Sequence, residues 1–191
     1  MTGVQTCALP IYLATRGLLK GGTVVTTVMA NLALDRALTG AGIGLAKVAV
    51  GDRYVLEEML RIGANLGGEQ SGHLLFLDHA TTGDGIVSAL QLIGVMRESG
   101  TSLGELAQCL VKFPQVLVNV RVKSKPPVSS IPELAERAQV LEAEMNGAGR
   151  VLLRYSGTES LLRVMIEGEE QARIEHMAEE LAGIIRRAIG A

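Results

Sequence analysis

The sequence contains no tryptophan and only two phenylalanines, so aromatic residues make up 3% of its 191 positions. Hydrophobic residues still account for 48%, so any core must be built from aliphatic side chains such as leucine, valine and isoleucine. A chain of this length forms one large domain or two small ones and can bury a substantial core.

Cysteine and histidine are also scarce, which limits the kinds of site that the chain can hold. Cys7 and Cys109 are too few for a disulfide framework, and the three histidines do not stand at the spacing of a zinc site. We therefore expect no metal site and a reducing, cytoplasmic location.

The sequence has neither a long apolar run nor a concentration of charge of one sign. No stretch approaches the roughly 20 apolar residues needed to span a bilayer. The net charge of −2 comes from interspersed acids and bases, whereas a nucleic-acid partner requires a concentrated basic face. The sequence therefore predicts neither a membrane nor a nucleic acid as partner.

The first eleven residues, MTGVQTCALPI, lack the basic start and the sustained apolar stretch of a signal peptide. They resemble the translation of a sequencing-adapter oligonucleotide, so we expect residues 1–11 to be non-native and to carry no evolved fold information. An ordinary flexible N-terminus is the alternative. On the adapter interpretation, the native protein continues upstream of Tyr12 and Cys7 has no function.

From Tyr12 to Lys112, strand-like and helix-like segments alternate at short intervals, which is typical of α/β layering with parallel strand pairs. Apolar and β-branched runs predict strands at 23–28, 45–50 and 74–77. The helix predicted at 86–97 is apolar nearly all round, so we expect it to pack on more than one side.

From residue 113 onward the pattern changes and predicts a second domain. Residues 114–123 alternate apolar and polar side chains, which indicates a half-buried antiparallel strand. Further strands (151–153, 161–167) and helices (133–145, 169–187) predict a small α+β domain with its helices on one face of an antiparallel sheet.

Residues 68–73, Gly-Glu-Gln-Ser-Gly-His, place a carboxylate and a hydroxyl between two glycines, and we name them the glycine frame. A carboxylate accepts two hydroxyl hydrogens at once, which suits adjacent sugar hydroxyls. If the segment is extended, Glu69 and Ser71 face one side, while Gly68 lets a ligand approach the backbone. His73 either touches the ligand or is a hydrogen-bonded structural residue. A glycine-rich turn with a surface glutamate is the simpler alternative.

Residues 154–159, Arg-Tyr-Ser-Gly-Thr-Glu, are named the arginine turn. Arg154 presents a planar fork of donors that matches phosphate oxygens. Ser156 and Thr158 add hydroxyl donors, the amides around the intervening glycine can form an anion-binding nest, and Arg163 adds a second positive charge. The structural alternative is a hairpin in which the arginine and the glutamate pair with each other.

Asp52 and Arg53 stand where a predicted strand leads into a helix. Arg53 can reach a sugar or a phosphate, whereas Asp52 can cap the helix or handle a proton, and capping is the expected role. The glycine run at 40–44 follows a helix and leads into a strand, the reverse of a dinucleotide-binding turn, so it predicts a helix stop.

From Tyr12 to the C-terminus these segments resemble the glucosamine branch of the α-D-phosphohexomutase superfamily. The glycine frame is similar to the sugar-binding loop of that family's third domain, and the arginine turn to the phosphate-binding loop of its fourth. The resemblance implies a layered α/β/α domain at 12–112, a small α+β domain at 113–191, and one phosphosugar site to which both loops contribute.

The resemblance also implies roles for individual residues. Sugar binding is expected from the glycine frame (Gly68, Glu69, Ser71, His73). No catalytic residue is expected in this chain, and Asp52 and Arg53 are the candidates for an assisting role. Phosphate binding is expected from the arginine turn and its neighbour (Arg154, Ser156, Gly157, Thr158, Arg163). Gln70 favours the glucosamine branch, since phosphomannomutases more often carry methionine there. Tyr155 and Ser160 depart from the family's usual residues, which puts the rigidity of the turn in question rather than its donors.

In that family the whole enzyme interconverts glucosamine 6-phosphate and glucosamine 1-phosphate, a step in amino-sugar nucleotide and cell-wall precursor synthesis. The resemblance assigns the phosphoserine and an aspartate-rich Mg²⁺ loop to the first two domains, and this sequence contains no Asp-x-Asp-x-Asp string. We therefore expect Mg²⁺ and glucosamine 1,6-bisphosphate to serve the full-length enzyme, which can be a dimer. A hexosamine phosphate is the expected ligand, and the chain alone is expected to be inactive.

Two alternatives stay open on these residues. The chain can belong to a phosphomannomutase or phosphoglucomutase, or it can be a phosphosugar-binding module with no catalytic role. A nucleotide-binding α/β protein is disfavoured because the order of helix and strand around the glycine run is reversed.

Overall fold

The computed structural model describes residues 3–191, with side chains from Cys7 onward. The chain divides into two compact units between Lys112 and Phe113, and each unit has its own core. The sequence places the domain boundary near Lys112. Within the described residues, no helix is both long enough and apolar enough to cross a membrane.

The first unit alternates helices and strands in the order α1 (Gly3–Thr15), β1 (Thr23–Thr27), α2 (Leu32–Gly40), β2 (Gly44–Val48), α3 (Asp52–Ile62), β3 (Leu66–Gly68), β4 (Leu74–Phe76), α4 (Gly85–Ser99) and α5 (Leu103–Leu106). The strands form one sheet in the order β2-β1-β3-β4. β1 runs parallel to β2 and β3, whereas β4 runs antiparallel to β3. The predicted α/β layering with parallel pairs is confirmed, and the β3–β4 hairpin makes the sheet mixed.

Both faces of this sheet are covered by helices. Because side chains alternate along β1, Val24 belongs to the same core cluster as Leu34 of α2, whereas Val25 belongs to a second cluster with Val55 and Met59 of α3. The helices that follow β1 and β2 therefore lie on opposite faces of the sheet. In open α/β sheets this arrangement creates a crevice at the carboxyl ends of the strands, where ligands bind.

Helix α1 includes most of the segment for which an adapter origin is predicted. Its side chains Cys7, Ala8 and Leu9 are buried in the same core as α2 and α4, and Cys7 Sγ donates to the carbonyl oxygen of Cys109 at 3.2 Å. The origin of residues 1–11 stays a prediction, because burial of an apolar segment does not identify its source. Met1 and Thr2 lie outside the described residues.

Helix α4 does not pack on more than one side, and that expectation is wrong. Leu92 and Val95 are buried, whereas Ile86, Leu90 and Ile93 are more than half exposed. The exposed residues recur every three to four positions and so form one stripe along the helix. The composition of a helix shows how much apolar surface it has, but not whether a neighbour covers it.

The second unit contains β5 (Gln115–Arg121), α6 (Pro132–Glu144), β6 (Gly149–Tyr155), β7 (Leu161–Gly168) and α7 (Gln171–Ile189). Its antiparallel sheet has the order β5-β7-β6. One face, which includes Val120, Val164 and Ile166, packs in a single core with Leu134 of α6 and Leu181 of α7. The predicted α+β domain with helices on one face of an antiparallel sheet is confirmed.

The other face of this sheet carries a buried ion pair. Arg150 Nε donates to Glu167 Oε2 at 2.7 Å, and the side chain of Glu167 is 0% exposed. The two residues are Cα partners on β6 and β7, so the strand register places them side by side. A fully buried carboxylate is costly unless it is paired, so the fold depends on this arginine.

Arg150→Ala is expected to destabilise the second unit by about 3–5 kcal/mol, because it removes the arginine that pairs with the fully buried carboxyl group of Glu167. Arg187→Ala removes only the exposed pair with Glu133 and should cost less than about 1 kcal/mol. Urea unfolding followed by circular dichroism measures both free energies. Similar losses of unfolding free energy in the two variants would show that burial of the ion pair does not determine how much it stabilises the unit.

Candidate functional site

In the first unit, three parallel strands end at the same edge of the sheet, and polar residues follow each end. The glycine frame follows β3, and Gly51 and Asp52 follow β2, with β1 lying between these two strands. The loop after β1 leads to Asn31, whose Oδ1 accepts the backbone N–H of Ala33 at 3.1 Å and begins α2.

The glycine frame is the turn of the β3–β4 hairpin. The N–H of Glu69 donates to the carbonyl oxygen of His73 at 2.9 Å, and the N–H of Gly72 donates back to the carbonyl oxygen of Glu69 at 3.0 Å. Gly72 has a φ of 106°, which favours glycine at this corner of the turn. The assumption of an extended segment is therefore wrong, because the chain reverses within it.

This reversal separates the two polar residues that were expected to face one side. Glu69 is buried and only 7% exposed, whereas Gln70, Ser71 and His73 are exposed. The simpler alternative, a surface glutamate, is likewise inconsistent with the burial of Glu69. A buried carboxylate is costly unless other groups bind it, so the partners of Glu69 must stabilise it at this edge of the sheet.

Glu69 is held by the loop that follows β2. The backbone N–H of Gly51 donates to Glu69 Oε1 at 2.9 Å, and the carboxyl group of Asp52 is also hydrogen-bonded to Glu69. Burial raises the pKa of Glu69, and the neighbouring Asp52 raises it further. The hydrogen bond from Glu69 lowers the pKa of Asp52, so the two carboxyl groups shift in opposite directions.

Asp52 does not cap α3, and that prediction is wrong. The N-cap residue is Gly51, which has no side chain to cap the helix, and its φ of 138° is a conformation that favours glycine. Asp52 instead lies 3.4 Å from His73 through its Oδ2 and the histidine Nδ1. Arg53 Nε donates to Glu57 Oε1 at 2.7 Å along the exposed side of the helix, so the structure does not bring Arg53 to Glu69.

One buried hydroxyl at this edge was missed from the sequence. Thr27, the last residue of β1, is 1% exposed, and its Oγ1 has no hydrogen-bond partner among the described residues. Its neighbour Thr26 donates from Oγ1 to the carbonyl oxygen of Gly68 at 2.9 Å. A threonine in a β-branched strand does not by itself indicate a buried polar position, since threonine is common in strands for steric reasons.

In the second unit, the arginine turn connects β6 to β7 and places two arginines side by side. Arg154 and Arg163 are Cα partners on these strands. The Nε–H groups of both are buried and have no hydrogen-bond partner among the described residues. Arg163 donates from Nη2 to Glu159 Oε2 at 3.2 Å, so the pairing within the hairpin involves Arg163 rather than Arg154.

The serine of the turn shapes the backbone. Ser156 is buried, and its Oγ accepts the N–H of Glu159 at 3.2 Å, while its carbonyl oxygen accepts from Lys125 Nζ at 2.7 Å. Gly157 and Thr158 are exposed at the tip. Lys125 lies 31 residues before Ser156 in the chain, so no local sequence pattern indicates this contact.

Two further acidic residues of the first unit have structural roles. Asp84 caps α4, since its Oδ1 accepts the N–H groups of Ile86 and Val87 at 2.7 and 3.0 Å. Asp78 accepts from Asn65 Nδ2 at 2.6 Å and pairs with Lys20, and these contacts lower its pKa.

Two family models match the chain. Residues 3–113 match the model described as "Phosphoglucomutase/phosphomannomutase, alpha/beta/alpha domain III". Residues 117–184 match "Phosphoglucomutase/phosphomannomutase, C-terminal domain". The two matches follow the division of the chain into a layered α/β unit and a smaller unit with an antiparallel sheet.

Curated relatives are more than 50% identical to the chain. The phosphoglucosamine mutase of Syntrophotalea carbinolica is 53% identical over 175 residues, which are 92% of this chain and 38% of that protein. The phosphoglucosamine mutase of Pelobacter propionicus is 54% identical over 175 residues, 92% of this chain and 39% of that protein. The chain thus spans well under half the length of these relatives.

Solved structures share the fold at much lower identity. The N-acetylphosphoglucosamine mutase of Aspergillus fumigatus, in complex with GlcNAc-6P and magnesium, has a TM-score of 0.79 at 20% identity, covering 98% of this chain and 43% of that one. A phosphoglucomutase/phosphomannomutase family protein of Burkholderia thailandensis has a TM-score of 0.71 at 18% identity, covering 98% and 42%.

Gly68→Ala is expected to destabilise the first unit by about 1–3 kcal/mol. A Cβ at Gly68 would lie 2.5 Å from Leu74 Cδ2 and 2.7 Å from the carbonyl oxygen of His73. Gly157→Ala is the matched control, because its Cβ would meet no atom within 4 Å and stability should change by less than about 0.5 kcal/mol. Thermal unfolding of the two variants checks this, and equal losses would show that close packing does not require glycine in the frame.

Proposed function

The chain belongs to the phosphoglucomutase/phosphomannomutase family, and from this premise we propose that it is the substrate-recognition part of a phosphoglucosamine mutase. The whole enzyme would interconvert glucosamine 6-phosphate and glucosamine 1-phosphate in the cytoplasm. The names of the relatives that are 53% and 54% identical support the glucosamine branch. Because the chain spans only 38% and 39% of those two relatives, the activity of the whole enzyme is part of the proposal.

One observation carries the phosphate-binding part of this proposal. Arg154 and Arg163 lie side by side with buried Nε–H groups that have no partner among the described residues. Buried donors of this kind are nearly always satisfied in functional states, and two guanidinium groups attract an anion with several acceptor oxygens. A phosphate monoester meets this requirement, with Ser156, Gly157 and Thr158 at the turn completing its contacts.

The sugar-binding part of the proposal rests on the buried carboxyl group of Glu69. Its position at the carboxyl edge of the sheet is where α/β sheets bind ligands, and a carboxylate accepts hydrogens from adjacent hydroxyls. Ser71 and His73 are exposed beside it, and Gly68 is in the same hairpin. The hydrogen bond from Gly51 fixes the orientation of Glu69 before a ligand arrives, which reduces the entropy cost of binding.

The group that transfers the phosphate is not assigned to this chain. Structures of fungal relatives are described with magnesium and with glucose 1,6-bisphosphate, which supports Mg²⁺ and a bisphosphate intermediate for the full-length enzyme. The residues present do not fit the expected Mg²⁺ loop, because the four aspartates of the sequence stand far apart at 35, 52, 78 and 84. A dimer of the full-length enzyme stays a prediction.

We expect the purified 191-residue chain to show no interconversion of glucosamine phosphates, even with Mg²⁺ and a bisphosphate primer. The groups assigned here bind and orient the ligand, which promotes a reaction only where a phosphoryl donor is also present. A coupled assay for glucosamine 1-phosphate measures the rate. Clear turnover that persists after repurification would contradict the assignment of the chemistry to other domains.

Arg154→Ala is expected to weaken the binding of glucosamine 6-phosphate about 10- to 100-fold, the range for loss of charge-assisted hydrogen bonds. Arg97→Ala removes an exposed arginine of α4 in the first unit and should change the affinity less than about twofold. Titration followed by NMR chemical shifts measures both. Equal effects of the two substitutions would refute the phosphate-binding role of the arginine turn, and tighter binding of mannose or glucose phosphates would refute the glucosamine branch.

A further inference from the structure

The loop between β6 and β7, residues 156–160, contains the tip of the arginine turn and is held by two internal hydrogen bonds. The N–H of Ser156 donates to the carbonyl oxygen of Leu161 at 2.9 Å, which closes the loop. The N–H of Glu159 donates to Ser156 Oγ at 3.2 Å. The two residues between Ser156 and Glu159 are exposed, and within residues 3–191 their backbone N–H groups have no backbone partner.

The segment that follows β5 contacts this loop at two further points. The N–H of Val122 donates to the carbonyl oxygen of Ser160 at 3.0 Å. Lys125 Nζ donates to the carbonyl oxygen of Ser156 at 2.7 Å. Ser156 is only 3% exposed, and the backbone carbonyl of a buried residue needs a hydrogen-bond partner. The ammonium group of Lys125 is that partner.

The contact with Lys125 determines the direction of a backbone N–H group. In a trans peptide the C=O and the N–H of one unit point in opposite directions, and the described residues contain no cis peptide bond. A Ser156 carbonyl held toward Lys125 therefore places the N–H of Gly157 on the opposite side of the peptide. Glycine has the least restricted backbone of all residues, so this peptide needs an external contact to keep one orientation.

An oriented amide at this position completes the set of donors in the arginine turn. Arg154 precedes the loop by two residues, and its buried Nε–H, like that of Arg163, has no partner in the part of the chain that the structure describes. A phosphate monoester carries three acceptor oxygens, so two guanidinium groups leave acceptor positions for backbone amides. Backbone N–H groups of this kind form anion-binding nests.

The charge of Lys125 is not used by an ion pair. None of the ion pairs within the described residues includes Lys125, and its hydrogen bond there goes to the Ser156 carbonyl. A hydrogen bond from a charged donor to a carbonyl oxygen is stronger than one between neutral groups. It also polarises the peptide unit, which makes the N–H of Gly157 a better donor.

We propose that Lys125 is a positioning residue of the phosphate-binding turn. Its hydrogen bond to Ser156 holds the amide of Gly157 in the orientation that a phosphate oxygen requires, so the ligand meets a donor that is already ordered. Lys125 acts through the backbone and does not itself touch the ligand. This inference rests on the proposed phosphate-binding function and adds to it a residue from outside the arginine turn.

Lys125→Met tests this role, because it removes the ammonium group and keeps an unbranched side chain. The full 191-residue variant should bind glucosamine 6-phosphate about tenfold more weakly, the loss expected for one oriented donor to an anion. NMR titration measures the affinity. In the ligand-free variant the NMR order parameter of the Gly157 amide should fall from the rigid toward the flexible range, because its peptide is no longer held.

Lys123→Met is the matched control, because it removes the same charge two residues earlier in the chain. Lys123 is exposed, and its side chain has no hydrogen-bond or ion-pair partner within the described residues. This variant should change the affinity less than about twofold and leave the Gly157 order parameter unchanged. Lys125→Arg should recover most of the affinity, since a guanidinium group also donates to a carbonyl oxygen.

Salt separates orientation from long-range attraction. At about 1 M salt the Debye length is only about 3 Å, so an effect of distant charge should disappear, whereas the deficit of Lys125→Met relative to the unaltered chain should persist. Loss of this deficit at high salt, or equal deficits in Lys123→Met and Lys125→Met, would overturn the positioning role. An unchanged order parameter in Lys125→Met would overturn it as well.

Arg154→Ala distinguishes failure of this inference from failure of the proposed function. If Arg154→Ala binds glucosamine 6-phosphate weakly while Lys125→Met binds it as tightly as the unaltered chain, only the positioning role is refuted. If the unaltered chain does not bind glucosamine 6-phosphate, the proposed phosphate-binding function is refuted and the positioning role with it.

Discussion

The buried carboxyl group of Glu69 is the group on which the arrangement at the carboxyl edge of the first sheet depends. It accepts the backbone N–H of Gly51 across the end of β1 and is hydrogen-bonded to Asp52. Without these partners a carboxyl group that is 7% exposed would be strongly unfavourable. The same contacts therefore satisfy a buried group, join the loops after β2 and β3, and fix an acceptor where an α/β sheet binds ligands.

In the second unit, the corresponding groups are arginine side chains on β6 and β7. Arg150 is paired with the fully buried Glu167 and stabilises the sheet, whereas the buried Nε–H groups of Arg154 and Arg163 have no partner within residues 3–191. Alternation along β6 places Arg150 and Arg154 on one face of the sheet, the face opposite the helices. Arg150, whose Nε–H is bonded to Glu167, is therefore the residue that stabilises the fold. Arg154 and Arg163, whose Nε–H groups lack a partner among the described residues, are the residues proposed to bind phosphate.

Much of the fold could be predicted because it follows local periodicity. The β-branched run of β1 and the alternation of apolar and polar residues in β5 are local patterns, and the structure contains both strands within one or two residues of the prediction. Prediction failed where packing against other elements decides whether a side chain is buried or how a loop turns. The apolar composition of α4 did not reveal that Ile86, Leu90 and Ile93 stay exposed, and the glycine frame is a reversal rather than an extended segment.

The sequence by itself determined the order of strands and helices, the two-domain organisation and the residue types of both loops, because these depend on periodicity and on residues near in the chain. Only the tertiary structure decided that Glu69 is buried and that Asp52 contacts it instead of capping α3. It also decided that Arg154 lies beside Arg163, and that the hydroxyl of Thr27 in the first sheet has no partner in the part of the chain that the structure describes. Each of these facts depends on how strands and loops pair in the folded chain, which the local pattern of residue types does not encode.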